Sequence, residues 1–389
     1  MASDQPPRQL PIVLALGTTQ TLAWASSYYL PAILADPIGH DLGMSANWIF
    51  AAFSAALVIS ALLGPRIGRQ IDQLGGRSVL CTSNLTIAAG LALLGVTNSI
   101  PVLIVAWILL GIGMGCGLYD AAFAALGRIF GNAARGPITG ITLMGGFAST
   151  VGWPLTALGL EHIGWRETCF AWAAAHVLIG LPLNFFMVPK AVGAKAVANN
   201  TTKPHIPIDR TMILLAFTFA AGWSVTGAMA AHMPRILEVG GATAAQAVAA
   251  SALFGPAQVF ARILEATFLK RYHPLVSTRL ACLTHPIGAV ILILGGKAAG
   301  AFAIFFGMGN GILTIARGTL PLAIFGPKDY GYRLGLIGAP ARMAQAIAPL
   351  AFGLLIDQIG IKVLIVSTAL CLLALAALCM LPREPAASD

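Results

Sequence analysis

The chain has 389 residues, of which 58% are hydrophobic and only 10% charged, and its mean hydropathy is +0.83. Soluble domains carry about 25% charged and about 45–50% apolar residues, so the composition excludes a soluble globular protein, and its low polarity excludes a disordered chain. A formal net charge of +9 without one basic face excludes a nucleic-acid partner.

A bilayer core about 30 Å thick takes about 20 apolar residues of helix. Reading between charged and Pro/Gly-marked breaks predicts spans at 10–34, 45–66, 78–97, 101–128, 137–160 and 168–188, then at 211–234, 244–268, 279–296, 299–325, 334–356 and 362–381. The expected fold is therefore an all-α membrane protein with twelve transmembrane helices in two groups of six. The longest polar interruption falls between the groups and contains Ala-Asn-Asn-Thr-Thr-Lys-Pro, a linker composition. This predicts an N-terminal bundle at 1–189, a cytoplasmic linker at 190–210 and a C-terminal bundle at 211–389. The first apolar stretch is too long for the core of a cleavable signal peptide. The six cysteines lie in apolar stretches without metal spacing, so no metal and no cofactor is expected.

Placing Lys and Arg on alternating sides gathers most of them on the side of the termini and the linker. Only Arg166, Arg235, Lys297 and Lys362 fall opposite. The positive-inside rule then puts both termini in the cytoplasm. The halves also repeat: Ser60-Ala61-Leu62-Leu63-Gly64-Pro65 returns 191 residues later as Ser251-Ala252-Leu253-Phe254-Gly255-Pro256, and Gly111, Gly113 and Gly115 return as Gly307, Gly309 and Gly311, shifted by 196. A six-span repeat in one orientation predicts two pseudo-symmetric six-helix bundles about an axis along the membrane normal, with a cavity between them.

The loop after span 2 reads Gly68-Arg69-Gln70-Ile71-Asp72-Gln73-Leu74-Gly75-Gly76-Arg77. It resembles the G-x-x-x-D-x-x-G-x-R signature of the major facilitator superfamily, with Gln73 and Gly76 where basic residues are usual. With twelve spans, a central linker and the half-chain repeat, the resemblance covers the whole chain. It implies a gating role for Gly68, Asp72, Gly75, Arg77 and Arg128, in which the Asp72 carboxylate meets the end of span 11 and a basic residue near span 4, Arg128. The loop from Gly255 to Pro274 has no matching aspartate. Resemblance to bacterial members further implies the inner membrane and a functional monomer.

Charges inside spans are costly and tend to face a cavity or a partner. Asp120 lies in span 4, Arg317 close to the repeat-equivalent place in span 10, Arg262 in span 8 and Arg342 in span 11. Glu265, three residues after Arg262, shares its helix face and can neutralise it. Asp120 and Arg317 could equally form a structural ion pair. Arg342 still leaves excess positive charge, and a planar guanidinium matches a carboxylate. Arg317, Arg342 and Arg262 are therefore candidate substrate contacts, and Asp120 is the candidate proton-coupling residue. In span 1, Gln20 and Tyr28 are candidate contacts among Thr18, Thr19, Trp24, Ser26, Ser27 and Tyr29, with an aromatic belt or helix packing as competing uses. His232, bracketed by Met229 and Met233, is a further polar candidate, with packing preferred to a soft-metal site.

No nucleophile–base pair, nucleotide loop or metal set is visible, so no enzyme is expected. The expected function is secondary transport of a small organic solute, first an organic anion such as a carboxylate, by alternating access with protons as the coupling ion (symport). A proton-antiport exporter of drugs or metabolites is the alternative.

Overall fold

In a computed structural model, residues 9–190, 206–295 and 298–381 are described. Among them every regular element is helical. The expected linker falls mostly on 191–205, outside the described residues, as does Lys297 of the charge assignment. Among the described residues nine helical runs are long and apolar enough to cross a bilayer, which makes this a multi-pass membrane protein. Two of them, Ile100–Ile163 and Tyr330–Cys379, hold 64 and 50 residues. At about 1.5 Å per residue these are far longer than one crossing.

Burial is inverted relative to a soluble protein. Leu294 is 82% exposed, Leu178 73% and Phe186 72%, whereas Gln20, Asn84, Asp120, His176 and Arg317 are all buried. That pattern minimises free energy only when the surrounding solvent is hydrocarbon and polar side chains must find partners inside.

The chain divides into two compact units: residues up to 204 together with 327–332, and residues 205–326 with 333–389. In the first unit, Gln9–Ala23 runs into a π-helical turn, Trp24–Tyr28, before Pro31–Asp41. Ala46–Leu74 and Gly76–Gly95 follow. The fourth expected span is broken: Ile100–Gly117 ends at Leu118, whose backbone is extended (φ −75, ψ −177), and Tyr119–Phe130 begins anew. Arg135–Gly145 and Ala148–Ile163 form the next pair. The sixth span carries a second π turn, His176–Gly180, between Trp165–Ala175 and Leu181–Met187.

The second unit holds Arg210–Val239, the pair Ala244–Ser251 and Phe254–Thr267, Pro274–Gly295, Ala299–Phe325, the body of Tyr330–Ile359, and Val363–Cys379.

Within each unit the glycine-rich helix packs at close range. A Cβ on Gly111 would lie 2.7 Å from the carbonyl oxygen of Ala56, and one on Gly307 would lie 2.6 Å from that of Phe254. Both glycines therefore exist to let backbones meet. The same pair corrects the expected repeat register. Ala56 and Phe254 are the equivalent positions, whereas the repeated hexapeptide would have matched Ala56 with Ala247. Ser60–Pro65 lies within Ala46–Leu74, but Ser251–Pro256 straddles the break before Phe254–Thr267. The hexapeptide match is thus local likeness, and the Gly111/Gly307 match is the structural repeat.

A buried polar cluster ties the first unit together. His176 Nε2 is 2.7 Å from Ser26 Oγ and its Nδ1 is 2.9 Å from Asn84 Oδ1. Asn84 Nδ2 donates to Leu80 O at 2.9 Å, which points its Oδ1 at the imidazole. Ser26 and His176 each sit in a π turn, so the two turns meet at this bond. At the loop ends Arg166 donates to the carbonyls of Gly95 and Thr97 and to Asp41 and Asn98, at 2.7–3.0 Å.

Candidate functional site

Three groups of side chains position chemistry. The first is a latch at the end of Ala46–Leu74. Asp72 accepts hydrogen bonds from the backbone amides of Gly331 (2.8 Å to Oδ1) and Tyr332 (2.7 Å to Oδ2). These amides open the helix Tyr330–Ile359, where unsatisfied N–H groups and the helix dipole favour an anion. Gly68 permits the approach, since a Cβ there would overlap the Gly331 carbonyl. Gly75 turns the chain with φ +84, a left-handed value suited to glycine. Gly76 cannot be a long basic residue, because its Cβ would collide with that of Ala125.

Of the other two residues assigned to this gate, Arg77 lays its guanidinium 4.3 Å from the ring centre of Phe185. Arg128 is exposed in the last turn of Tyr119–Phe130. Asp72 is thus held by backbone amides, and Arg77 is engaged with an aromatic face.

The second group lies in the first unit at the Leu118 break. Gln20 Nε2 donates to the Gly117 carbonyl at 2.5 Å, satisfying a backbone group that the break frees. Asp120 follows the break and is 8% exposed. Beside them Trp24 packs on Tyr28 (centroids 4.9 Å apart) and Tyr119 (5.0 Å), and Tyr28 packs on Tyr29 and Phe53. The structure therefore brings Gln20, Tyr28 and the start of Tyr119–Phe130 into one aromatic-lined region.

The third group lies in the second unit. Arg317 is 5% exposed and its guanidinium stands 4.6 Å from the ring centre of Trp223, a cation–π arrangement that holds the planar fork in place. Arg342 and Gln345 are also buried. Arg262 belongs to a polar chain: it donates to Gln258 Oε1 at 3.1 Å, Asn310 Nδ2 donates to the same oxygen at 3.1 Å, and Thr226 donates to Asn310 Oδ1 at 2.7 Å. Glu265 is buried nearby in sequence on the same helix. His232 is set apart from this chain, with its Nε2 2.7 Å from the Pro349 carbonyl.

Residues 16–316 match the model of the Major Facilitator Superfamily. The chain belongs to that superfamily. It is 26% identical over 364 residues, covering 91% of itself and 92% of its counterpart, to a Thermoproteus tenax protein described as an uncharacterized 38 kDa protein in a 23S RNA operon. Over 117 residues, 28% of that protein, it is 31% identical to the oxalate:formate antiporter of Oxalobacter formigenes. Over 165 residues, again 28% of the relative, it is 32% identical to mouse facilitated glucose transporter member 10. Its fold matches the crystal structure of the human organic anion transporter MFSD10 with a TM-score of 0.75 at 18% identity, over 96% of this chain and all of that one.

Membership in the superfamily makes the chain a transporter rather than an enzyme. The geometry adds residues that were not candidate contacts in the sequence. Trp24 and Tyr119 line the same region as Gln20, and Trp223 holds Arg317. Asn310 and Gln258 link Thr226 to Arg262. Nothing in the sequence pairs Gln258 with Asn310, which are 52 positions apart.

Proposed function

We propose that this superfamily member is a secondary transporter of small organic anions such as carboxylates, working by alternating access with proton coupling. The observation that carries the reading is Arg317, buried at 5% exposure with its guanidinium braced on Trp223. Among the described residues of its unit three arginines, Arg262, Arg317 and Arg342, are buried, with one buried carboxylate, Glu265. A transporter of cations would need the opposite excess. The oxalate:formate antiporter and the organic anion transporter among its similar proteins agree with that class.

The rest of the reading follows the superfamily plan. Ile100–Ile163 and Tyr330–Cys379 each cross the membrane twice and Gln9–Asp41 crosses once, so the nine long runs become twelve crossings in two pseudo-symmetric bundles joined by a 190–210 linker. Both termini are cytoplasmic, the membrane is the bacterial inner membrane and the working unit is a monomer. Asp72 on the first turn of Tyr330–Ile359 is the closed form of a cytoplasmic gate. Asp120, a buried carboxylate just after the Leu118 break, is the proton-coupling residue. Arg317, Arg342, Arg262, Gln20, Tyr28 and His232 contact substrate.

A thermal-shift screen of the purified protein tests the class. Carboxylates are expected to raise the melting temperature, because a ligand that binds only the folded state stabilises it. Stabilisation by lipophilic cations alone would select the drug-exporter reading instead.

A further inference from the structure

Gln20 is 1% exposed. Its Nε2 is committed to the Gly117 carbonyl at 2.5 Å, and that bond fixes which end of the amide is which. The other end, Oε1, is buried and accepts no hydrogen bond from any described residue. One helical turn later, Trp24 Nε1 is also buried and donates to no described residue. Positions four apart share a helix face. A desolvated acceptor and a desolvated donor therefore share one helix face a turn apart, Gln20 at the Leu118 break through Gly117 and Trp24 against Tyr119.

Buried polar groups without partners are rare in folded proteins and call for an explanation. Trp107 Nε1 is a further case, but it stands alone, whereas Gln20 and Trp24 offer complementary functions within one turn. The chemistry of the occupant follows by elimination. A carboxylate has only acceptors and would satisfy Trp24 but not Gln20. An ammonium has only donors and would satisfy Gln20 but not Trp24. A hydroxyl satisfies both, its O–H donating to Gln20 Oε1 and its oxygen accepting from Trp24 Nε1.

We propose that Gln20 Oε1 and Trp24 Nε1 form a hydroxyl subsite, so that the cargo is a hydroxylated organic anion rather than a plain carboxylate. The proposal rests on the organic-anion reading above and names the substrate class for the same site. A bound water has the same donor and acceptor pair and is the competing occupant.

Direct uptake into proteoliposomes of the full chain separates the two, using radiolabelled pairs that differ by one hydroxyl: lactate and propionate, glycolate and acetate, malate and succinate. A site built to hydrogen-bond a hydroxyl discriminates strongly against an analogue that lacks it. The expected result is a kcat/KM for the hydroxylated member of a transported pair at least about tenfold above its partner. In Trp24→Phe, which keeps the ring and removes the donor, that ratio falls towards one, and it falls likewise in Gln20→Leu. Equal transport of both members by the wild type overturns the hydroxyl subsite and leaves the organic-anion reading standing, with water as the occupant. Transport of neither member of any pair overturns both. A ratio preserved in both variants overturns the assignment of these two residues.

Discussion

The carboxylate of Asp72 holds the backbone amide of Tyr332 at 2.7 Å, across 260 positions of sequence. With the matching bond to Gly331, one side chain caps the start of a 30-residue helix, Tyr330–Ile359.

Asp72→Asn is expected to keep the fold and weaken the latch, because a neutral amide loses the charge that favours a helix N-terminus. Asp72→Ala should cost about 1–3 kcal/mol, the range for leaving such donors unmade. Cysteine accessibility on the two faces, in a background free of native cysteines, reports the change as greater labelling on the face that carries the latch. Unaltered labelling with wild-type transport would remove Asp72 from the gate.

Gly68→Ala should mimic the loss of Asp72, since its Cβ would overlap the Gly331 carbonyl. Gly136→Ala is the control: nothing lies within 4 Å of its added methyl, and surface changes of this kind stay within about 0.5 kcal/mol. Thermal unfolding together with accessibility labelling distinguishes the two. Equal behaviour of both variants would show that close approach at Gly68 is unimportant.

His176→Phe is expected to destabilise the protein by about 2–4 kcal/mol, because Asn84 Oδ1 and Ser26 Oγ lose their shared partner inside the first unit. The check is the melting temperature in detergent. A melting temperature within error of the wild type would mean that the cluster repacks around the ring.

The apolar segments were legible because each is a near-continuous run of Leu, Ile, Val, Ala and Gly, and nine helical runs among the described residues are long and apolar enough to cross a bilayer. What stayed hidden is where helices deviate. The break at Leu118 has no proline and follows a glycine run that reads as packing. The π turns at Trp24–Tyr28 and His176–Gly180 depend on partners 150 residues apart. The repeat register was misread because the Ser60–Pro65 likeness is longer than the spaced glycines, yet only the glycines touch a backbone.

The site was legible in part for the same reason. Asp72 was found because its motif is contiguous, and its amide partners follow from a helix start. Arg317, Arg342 and Asp120 stood out as charges in apolar runs. Trp223, Gln258 and Asn310 did not, because a tryptophan or an amide is ordinary in a membrane helix until its neighbour is known.

Asp120→Asn is expected to abolish accumulation of substrate driven by a pH gradient and to retain exchange of substrate across the membrane, since the neutral amide cannot carry the proton. Both fluxes are measured in the same proteoliposomes. Accumulation that persists under a proton gradient alone would assign Asp120 a structural part.

Arg317→Lys preserves the charge and loses the planar fork over Trp223, so anion affinity should fall about tenfold or more while protein yield persists. Titration of a carboxylate found in the thermal-shift screen provides the measurement. Wild-type affinity would take Arg317 out of the site.

The central claim is that the cargo is an organic anion, and counterflow tests it most directly because it needs no assumption about coupling ion or direction. Proteoliposomes of the wild-type protein are loaded with an unlabelled carboxylate and diluted into a trace of the labelled one. Transient accumulation of label, stimulated by internal carboxylates and unaffected by internal tetraphenylphosphonium, is the predicted result. Stimulation by the lipophilic cation with none from any carboxylate would contradict it.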